Sequence, residues 1–391
     1  MKNVFRFSNL RLFSALLALI LALPVSRNGL AGFYSWLSPF IMLNSVLVLK
    51  SFVWLNIVSV PVIIIAVFRK RWFCHNLCPV GYYCDLVSGQ GTRSPLSHRR
   101  LPDISRLLAV ISLAAAAAGL PIFIISDPLA IFNGFFSVFS GDLKLAAIVS
   151  LAGFPLLLLI SFFFPGIWCT KLCPLGGLQL VISDLNHQVK RIFTNRAVEP
   201  KSNDSGRRYF IMTGAGIVAG SVIPRILKPP ACNVIRPPAS VEASLFNSLC
   251  CRCGSCSKAC PTGIITPQTD FTSPFSWMTP EISFKSGYCL ETCSRCSQVC
   301  PSGAITLFDV RAKNRLFMGT AEADLENCLV VNNRECVRCV ESCKYDAIKF
   351  VSGHSVLNVI PVVLNQKCVG CGACEVVCPK SCIVIKPVAR S

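Results

Sequence analysis

Cys250-Cys251-Arg252-Cys253-Gly254-Ser255-Cys256-Ser257-Lys258-Ala259-Cys260-Pro261 is the stretch that decides how the C-terminal part of this chain is built. Cys250, Cys253, Cys256 and Cys260 follow the spacing C-x2-C-x2-C-x3-C-P. Three thiolates at that spacing wrap one compact inorganic core from a tight loop. The fourth falls on the helix that follows, points away and reaches a partner core. Pro261 limits the backbone beyond it. Gly254 permits close backbone approach and unusual torsions. The run recurs as Cys368, Cys371, Cys374 and Cys378 before Pro379, with Gly372 in the equivalent place.

Two further groups lie between them. Cys289, Cys293, Cys296 and Cys300 precede Pro301, with a first gap one residue longer. Cys328, Cys336, Cys339 and Cys343 keep the C-x2-C-x3-C core, take their first ligand from far upstream and carry Lys344 in place of proline. A looser first arm still reaches the same iron. Repeated runs of four cysteines do not suit tetrahedral zinc, which takes paired ligands with a long separation. They imply four [4Fe–4S] clusters, and the groups form an internal repeat. The residues after each group, such as Gly263-Ile264-Ile265, Ala304-Ile305, Ala347-Ile348 and Ile383-Val384-Ile385, predict short strands.

Upstream, the chain reads differently. Charged residues are only 15% of the 391, which places part of the chain in lipid. Leu12–Val25, Phe52–Phe68, Ile104–Ile125, Leu143–Phe164 and Tyr209–Leu227 are apolar runs near spanning length. The first also reads as a signal peptide. Basic residues follow runs two and four, whereas Asp127 and Asp142 lie between runs three and four. Positive-inside logic then predicts a cytoplasmic N-terminus and an exterior C-terminal domain. The formal charge of +19 is assigned to these flanks and not to nucleic-acid binding, because no aromatic-interleaved basic patch exists. Cluster thiolates offset much of it.

Cys74-His-Asn-Leu-Cys78-Pro79 and Cys169-Thr-Lys-Leu-Cys173-Pro174 follow runs two and four. Two such C-x3-C-P pairs supply four thiolates, enough for one further cluster; redox-active or merely buried thiols are the alternatives. No CxxCH and no histidine within a span supports haem, and no GxGxxG supports a nucleotide site. Arg207-Arg208 ahead of the fifth run reads as a twin-arginine signal or as plain helix anchors. Lys228–Ala239 reads as a Pro-rich extended stalk. Cys84, Cys232, Cys251 and Cys382 are left over, with burial as small apolar residues the default.

The C-x3-C-P pair resembles the four-helix membrane subunit of the periplasmic nitrate reductase quinol-dehydrogenase system. The Arg207-Arg208 run, Ile235-Arg236-Pro237-Pro238 and the four groups, above all the wide gap from Cys328 to Cys336, resemble its four-cluster iron–sulfur subunit. The chain looks like a fusion of the two. The resemblance implies an α-helical membrane domain with about five transmembrane helices, and an α+β ferredoxin-like domain with repeated cluster motifs. The expected divisions are 1–186, a linker with fifth helix and stalk over 187–240, and a polyferredoxin domain over 241–391. It also implies quinol oxidation at the bacterial inner membrane, contact with lipid and the quinone pool, and electron delivery to a periplasmic cytochrome or terminal reductase. Cluster sharing between groups one and four, and between two and three, is likewise what the resemblance implies. A redox maturation or maintenance factor for a metalloenzyme is the alternative.

Overall fold

Ser38, Cys78, Asp127 and Cys173 each stand immediately before a proline, and each starts a helix. Proline suits the first helical position, where its missing N–H forfeits no bond. The preceding side chain then accepts from an otherwise orphaned amide. Ser38 accepts from the Ile41 amide, Cys78 Sγ from Gly81 (3.4 Å), Asp127 from Leu129 and Ala130, and Cys173 Sγ from Gly176 (3.5 Å). The computed structural model describes residues 2–23, 30, 32–89, 102–137, 145–193, 204–226, 234–269, 276–332, 334–352 and 359–387. Cys232, Asp142 and residues 194–203 of the expected linker lie outside these.

The helical half comprises α1 (Lys2–Ala22), α2 (Phe33–Trp36), α3 (Pro39–Leu49), α4 (Val60–Phe68), α5 (Trp72–Asn76), α6 (Pro79–Ser88), α7 (Ile104–Ala117), α8 (Pro128–Ser137), α9 (Leu145–Phe163), α10 (Pro174–Phe193) and α11 (Asp204–Ile226). Its core is Phe40, Phe73, Leu129, Phe132, Leu175 and Leu178, packed around the sulfurs of Cys78, Cys84 and Cys173. Glycines let α7 sit close to its neighbours. A Cβ at Gly177 of α10 would lie 2.0 Å from the Ser105 carbonyl oxygen, and one at Gly220 of α11 would lie 2.6 Å from that of Ala115.

The expected membrane domain is not supported: among the described residues no helix is long and apolar enough to cross a membrane. Helix starts and breaks divide the apolar runs. Ile41–Leu49 and Phe52–Phe68 become α3, a 3-10 turn over Trp54–Ser59, and the nine-residue α4. The third run stops as helix at Ala117, before Gly119 at φ 102°. Helix α9 contains Pro155, α1 carries Lys2, Arg6 and Arg11, and α11 opens on Asp204 with Arg207 and Arg208 in its first turns.

Asp127, expected in the loop between the third and fourth runs, is fully buried; the Ser38 hydroxyl donates to it at 2.5 Å. Burial pushes its carboxyl up to about 6 from 3.8. The folded chain therefore holds this proton more tightly than the unfolded chain, and stability from this group rises as pH falls from about 6 to about 4. The full effect is up to roughly 3 kcal/mol. The difference in unfolding free energy between the wild type and Asp127→Asn should carry that slope. A flat difference would remove Asp127 as its source.

The C-terminal half contains α12 (Ala243–Leu249) and three antiparallel strand pairs. β1 (Ile265–Pro267) pairs with β2 (Pro280–Ile282), β3 (Gly319–Ala323) with β6 (Ile383–Pro387), and β4 (Ile348–Ser352) with β5 (Val359–Val363). Three of the four expected strands appear as β1, β4 and β6, while Ile305 makes a single bridge to Ser240. Phe246, Leu249, Ile264, Ile305, Ile348 and Ile385 fill the core between the cysteines.

The stalk expectation also changes over its described part. Arg236, Pro237 and Pro238 are buried. Arg236 donates to Thr279 Oγ1 (2.7 Å), the Pro280 carbonyl (2.8 Å) and Asn247 Oδ1 (2.9 Å), with its guanidinium 4.9 Å from the Phe246 ring centre. Arg236→Met leaves buried acceptors unmet and should cost about 2–4 kcal/mol in denaturant unfolding.

Candidate cluster-binding sites

The sixteen C-terminal cysteines meet in four sets. Cys250, Cys253 and Cys256 are joined by Cys300. Cys289, Cys293 and Cys296 are joined by Cys260. Cys368, Cys371 and Cys374 are joined by Cys343. Cys328, Cys336 and Cys339 are joined by Cys378. Each fourth cysteine thus crosses to a partner set, as the spacing implied, but the partners are consecutive groups. The nested sharing of one with four and two with three is overturned. The reason lies in the strands: β1 and β2 fold the chain back between groups one and two, and β4 and β5 do so between three and four.

The donor chemistry fits [4Fe–4S] clusters. Burial and neighbouring thiols push Cys371 up to about 11 and Cys250 and Cys374 up to about 12. Such sulfurs ionise when a cationic core offsets their charge. Backbone amides already point at several: Ala347 N–H donates to Cys343 Sγ (3.3 Å), Ala321 to Cys368 (3.4 Å), Cys382 to Cys378 (3.4 Å) and Ile305 to Cys300 (3.5 Å). Gly254 and Gly372 take φ of 67° and 83°, the left-handed turn each loop needs. Among the described residues, no three His, Cys, Asp or Glu groups are placed to hold one metal ion.

The two C-x3-C-P motifs also come together. Cys74, Cys78, Cys169 and Cys173 are mutual neighbours in the helical core. The two motifs repeat position for position. Three residues before each first cysteine, Arg71 and Gly166 are left-handed (φ 53° and 74°). Three residues after each second cysteine, Gly81 and Gly176 donate to its sulfur. Six residues after it, Cys84 lies beside Cys169 and Gln179 Nε2 donates to Cys74 Sγ at 3.3 Å, so each copy reaches across to the other.

A 4Fe-4S dicluster domain matches residues 249–304, the span of the first pair of sets. A 4Fe-4S binding domain matches residues 51–102 and again 146–192, one C-x3-C-P motif in each. The methylamine utilization ferredoxin-type protein MauM of Methylobacillus flagellatus is 33% identical over 183 residues, 45% of this chain and 76% of that protein. The chain belongs to the ferredoxin-type iron–sulfur proteins. NapF of Escherichia coli K12 is 35% identical over 153 residues, 39% of this chain and 85% of its own. NapG of the same strain is 32% identical over 200 residues, 47% and 84%. The expected kinship with the Nap iron–sulfur proteins is therefore shown. No solved structure matches.

In this ferredoxin-type chain the helical half docks directly on the first pair of sets. Asn133 of α8 donates to the Cys253 carbonyl (2.9 Å) and Ser255 Oγ (2.8 Å), and buried Lys258 donates to the Asn133 carbonyl (3.0 Å) and Oδ1 (2.8 Å). Asn56 Nδ2 reaches the Pro301 carbonyl (2.8 Å), and Trp36 Nε1 that of Val299 (3.3 Å). A Cβ at Gly134 would stand 2.9 Å from the Arg252 carbonyl oxygen. The helical and ferredoxin halves are thus in direct contact through Trp36, Asn56 and α8. Sequence reading missed Asn133, Lys258 and Gln179. Superposing the two C-x3-C-P copies would have exposed Gln179 opposite Cys84.

Proposed function

We propose that the chain carries single electrons from a quinol, taken up beside the C-x3-C-P set, through a file of [4Fe–4S] clusters to a redox protein at the far end. The observation that supports this is the unbroken succession of thiol sets. The helical set shares a core with Phe132 of α8, and the next residue, Asn133, holds the Cys253 loop. Cys253 and Cys260 of group one belong to the first and second sets. The Cys289 amide of the second set donates to the Cys371 carbonyl of the third at 2.9 Å. Group three's Cys343 and Cys339 then link the third and fourth. The last loop is open, with Arg334, Glu335, Val337 and Arg338 exposed, and is where the partner docks.

The clusters, held by the five cysteine sets, supply one-electron carriers tuned by surrounding charge and hydrogen bonds. The chain supplies the place for the two-electron donor. A cavity of about 550 Å³ is lined by Lys70, Asp103, Arg106, Asp184, His187 and Tyr209. Lys171, between Cys169 and Cys173, pairs with Asp103 at 2.8 Å and ties the cavity to the helical set. Asp184 is gripped by Lys70 (3.1 Å) and Arg106 (3.0 Å). A quinol oxidised there releases two protons and two electrons.

Anaerobic protein mixed with a menaquinol analogue in stopped flow, with EPR detection, tests this. Iron should count about twenty per chain, four for each of five sets, and clusters should be reduced by the quinol. Clusters that respond to dithionite but stay silent to quinol would refute the donor.

A further inference from the structure

Twenty cysteines fill the five sets, and a further sulfur stands inside the fourth. Cys382 lines the same cavity as Cys328, Cys336, Cys339 and Cys378, so five cysteines surround that site. Its Sγ lies 3.2 Å from that of Cys378, too close for the two to hold different irons of one cluster. A buried cysteine packs by default as a small apolar group. The internal repeat separates that role from a chemical one.

In each group the chain leaves the fourth cysteine through a left-handed residue three positions on: Gly263, Gly303, Asp346 and Ser381, with φ of 68°, 69°, 49° and 50°. The next residue is Ile264, Ala304, Ala347 or Cys382, and all four are buried. The position is therefore equivalent in the four copies. In the last two its amide donates to the preceding ligand sulfur, Ala347 to Cys343 at 3.3 Å and Cys382 to Cys378 at 3.4 Å. Three copies place an apolar side chain there. The fourth places a sulfur, beside the sulfur it would replace.

The fourth copy is also the one that meets solvent. Pro379, Lys380 and Ser381 are all exposed, whereas Pro261 and Thr262 are half-buried and Pro301, Ser302 and Gly303 are buried. Cys378 thus holds its iron from an exposed turn. Cys382 is anchored separately: it precedes Ile383, the strand partner of Ala323, and its carbonyl accepts from the Asp324 amide at 2.7 Å.

We propose that Cys382 is a reserve ligand for the iron held by Cys378. It takes that iron over when the first bond breaks and so keeps the fourth cluster in place at the open end of the file. The exchange is redox-neutral: the Fe–S bond to Cys378 breaks, one to Cys382 forms, and the proton of the incoming thiol passes to the departing thiolate. The inference rests on the cluster reading of the fourth set.

The test uses the full chain, purified anaerobically, with iron per chain and the EPR signals of the reduced clusters read on each variant. Cys378→Ala should keep the wild-type iron and every cluster signal, with one signal changed in shape. Cys382→Ala should keep the iron as well. The double variant Cys378→Ala/Cys382→Ala should lose about four irons. Cys343→Ala, whose turn leads to Ala347, should also lose about four, and adding Ala347→Cys to it should restore them. Loss of about four irons in Cys378→Ala alone, or no recovery with Ala347→Cys, would overturn the proposal. Full iron in the double variant would overturn it too, because no second thiol would then be needed. A wild-type count well short of about twenty irons would instead fail the cluster reading itself.

Discussion

Cys300→Ala empties the cluster of group one, not one of group two's own. Cys300 stands with Cys250, Cys253 and Cys256, and its replacement should remove about four irons per chain. The lost EPR signal should be the one that Cys253→Ala also loses. Cys260→Ala should lose a different signal, shared with Cys296→Ala. Because folding and cluster binding are coupled, each loss should also cost several kcal/mol in the half around it. If Cys260→Ala instead silenced the signal that depends on Cys371, group one would be sharing with group four and the consecutive pairing would be wrong.

Asn133→Leu should separate the two halves. Lys258 is 3% exposed, and its ammonium bonds Asn133 twice. Leucine removes the side-chain acceptor of Lys258 and deletes both donors to the Cys253 loop. Leaving buried polar groups without their partners costs about 2–4 kcal/mol. The variant should unfold at lower denaturant. Quinol should still reduce the helical cluster, while the ferredoxin clusters should respond only to dithionite. Asn133→Asp keeps an acceptor for Lys258 and should recover most of the stability. Unchanged quinol reduction throughout the file in Asn133→Leu would show that α8 is not the route.

The grouping of the cysteines was legible because their spacing sets it directly. All sixteen ferredoxin cysteines meet in sets of four, including Cys328 with its long reach. The partners of the sets were not legible, because they depend on strands of three and five residues whose pairing no cysteine spacing encodes. The apolar runs misled for a related reason. Hydropathy counts residues, whereas Ser38-Pro39, Gly119 and Pro155 decide where a helix begins, stops or bends. Arg236 looked like part of a polar stalk because nothing near it in sequence announces Thr279, Pro280 and Asn247. Lys258 gave no sign of its role, since its partner lies 125 residues away.

Consecutive pairing also sets an order for biogenesis. The first two binding sites are closed by residues 250–300 and the last two by residues 328–378. A chain emerging from the ribosome completes the whole ligand shell of the first two before the first cysteine of the others has been made. Nested sharing would have kept half-built sites waiting for the C-terminus. Because each pair trades its fourth cysteine, neither member closes until both groups are present. Maturation should therefore advance in two cooperative steps from the N-terminal side, and a translation product stopped shortly after the first pair is already a loadable unit.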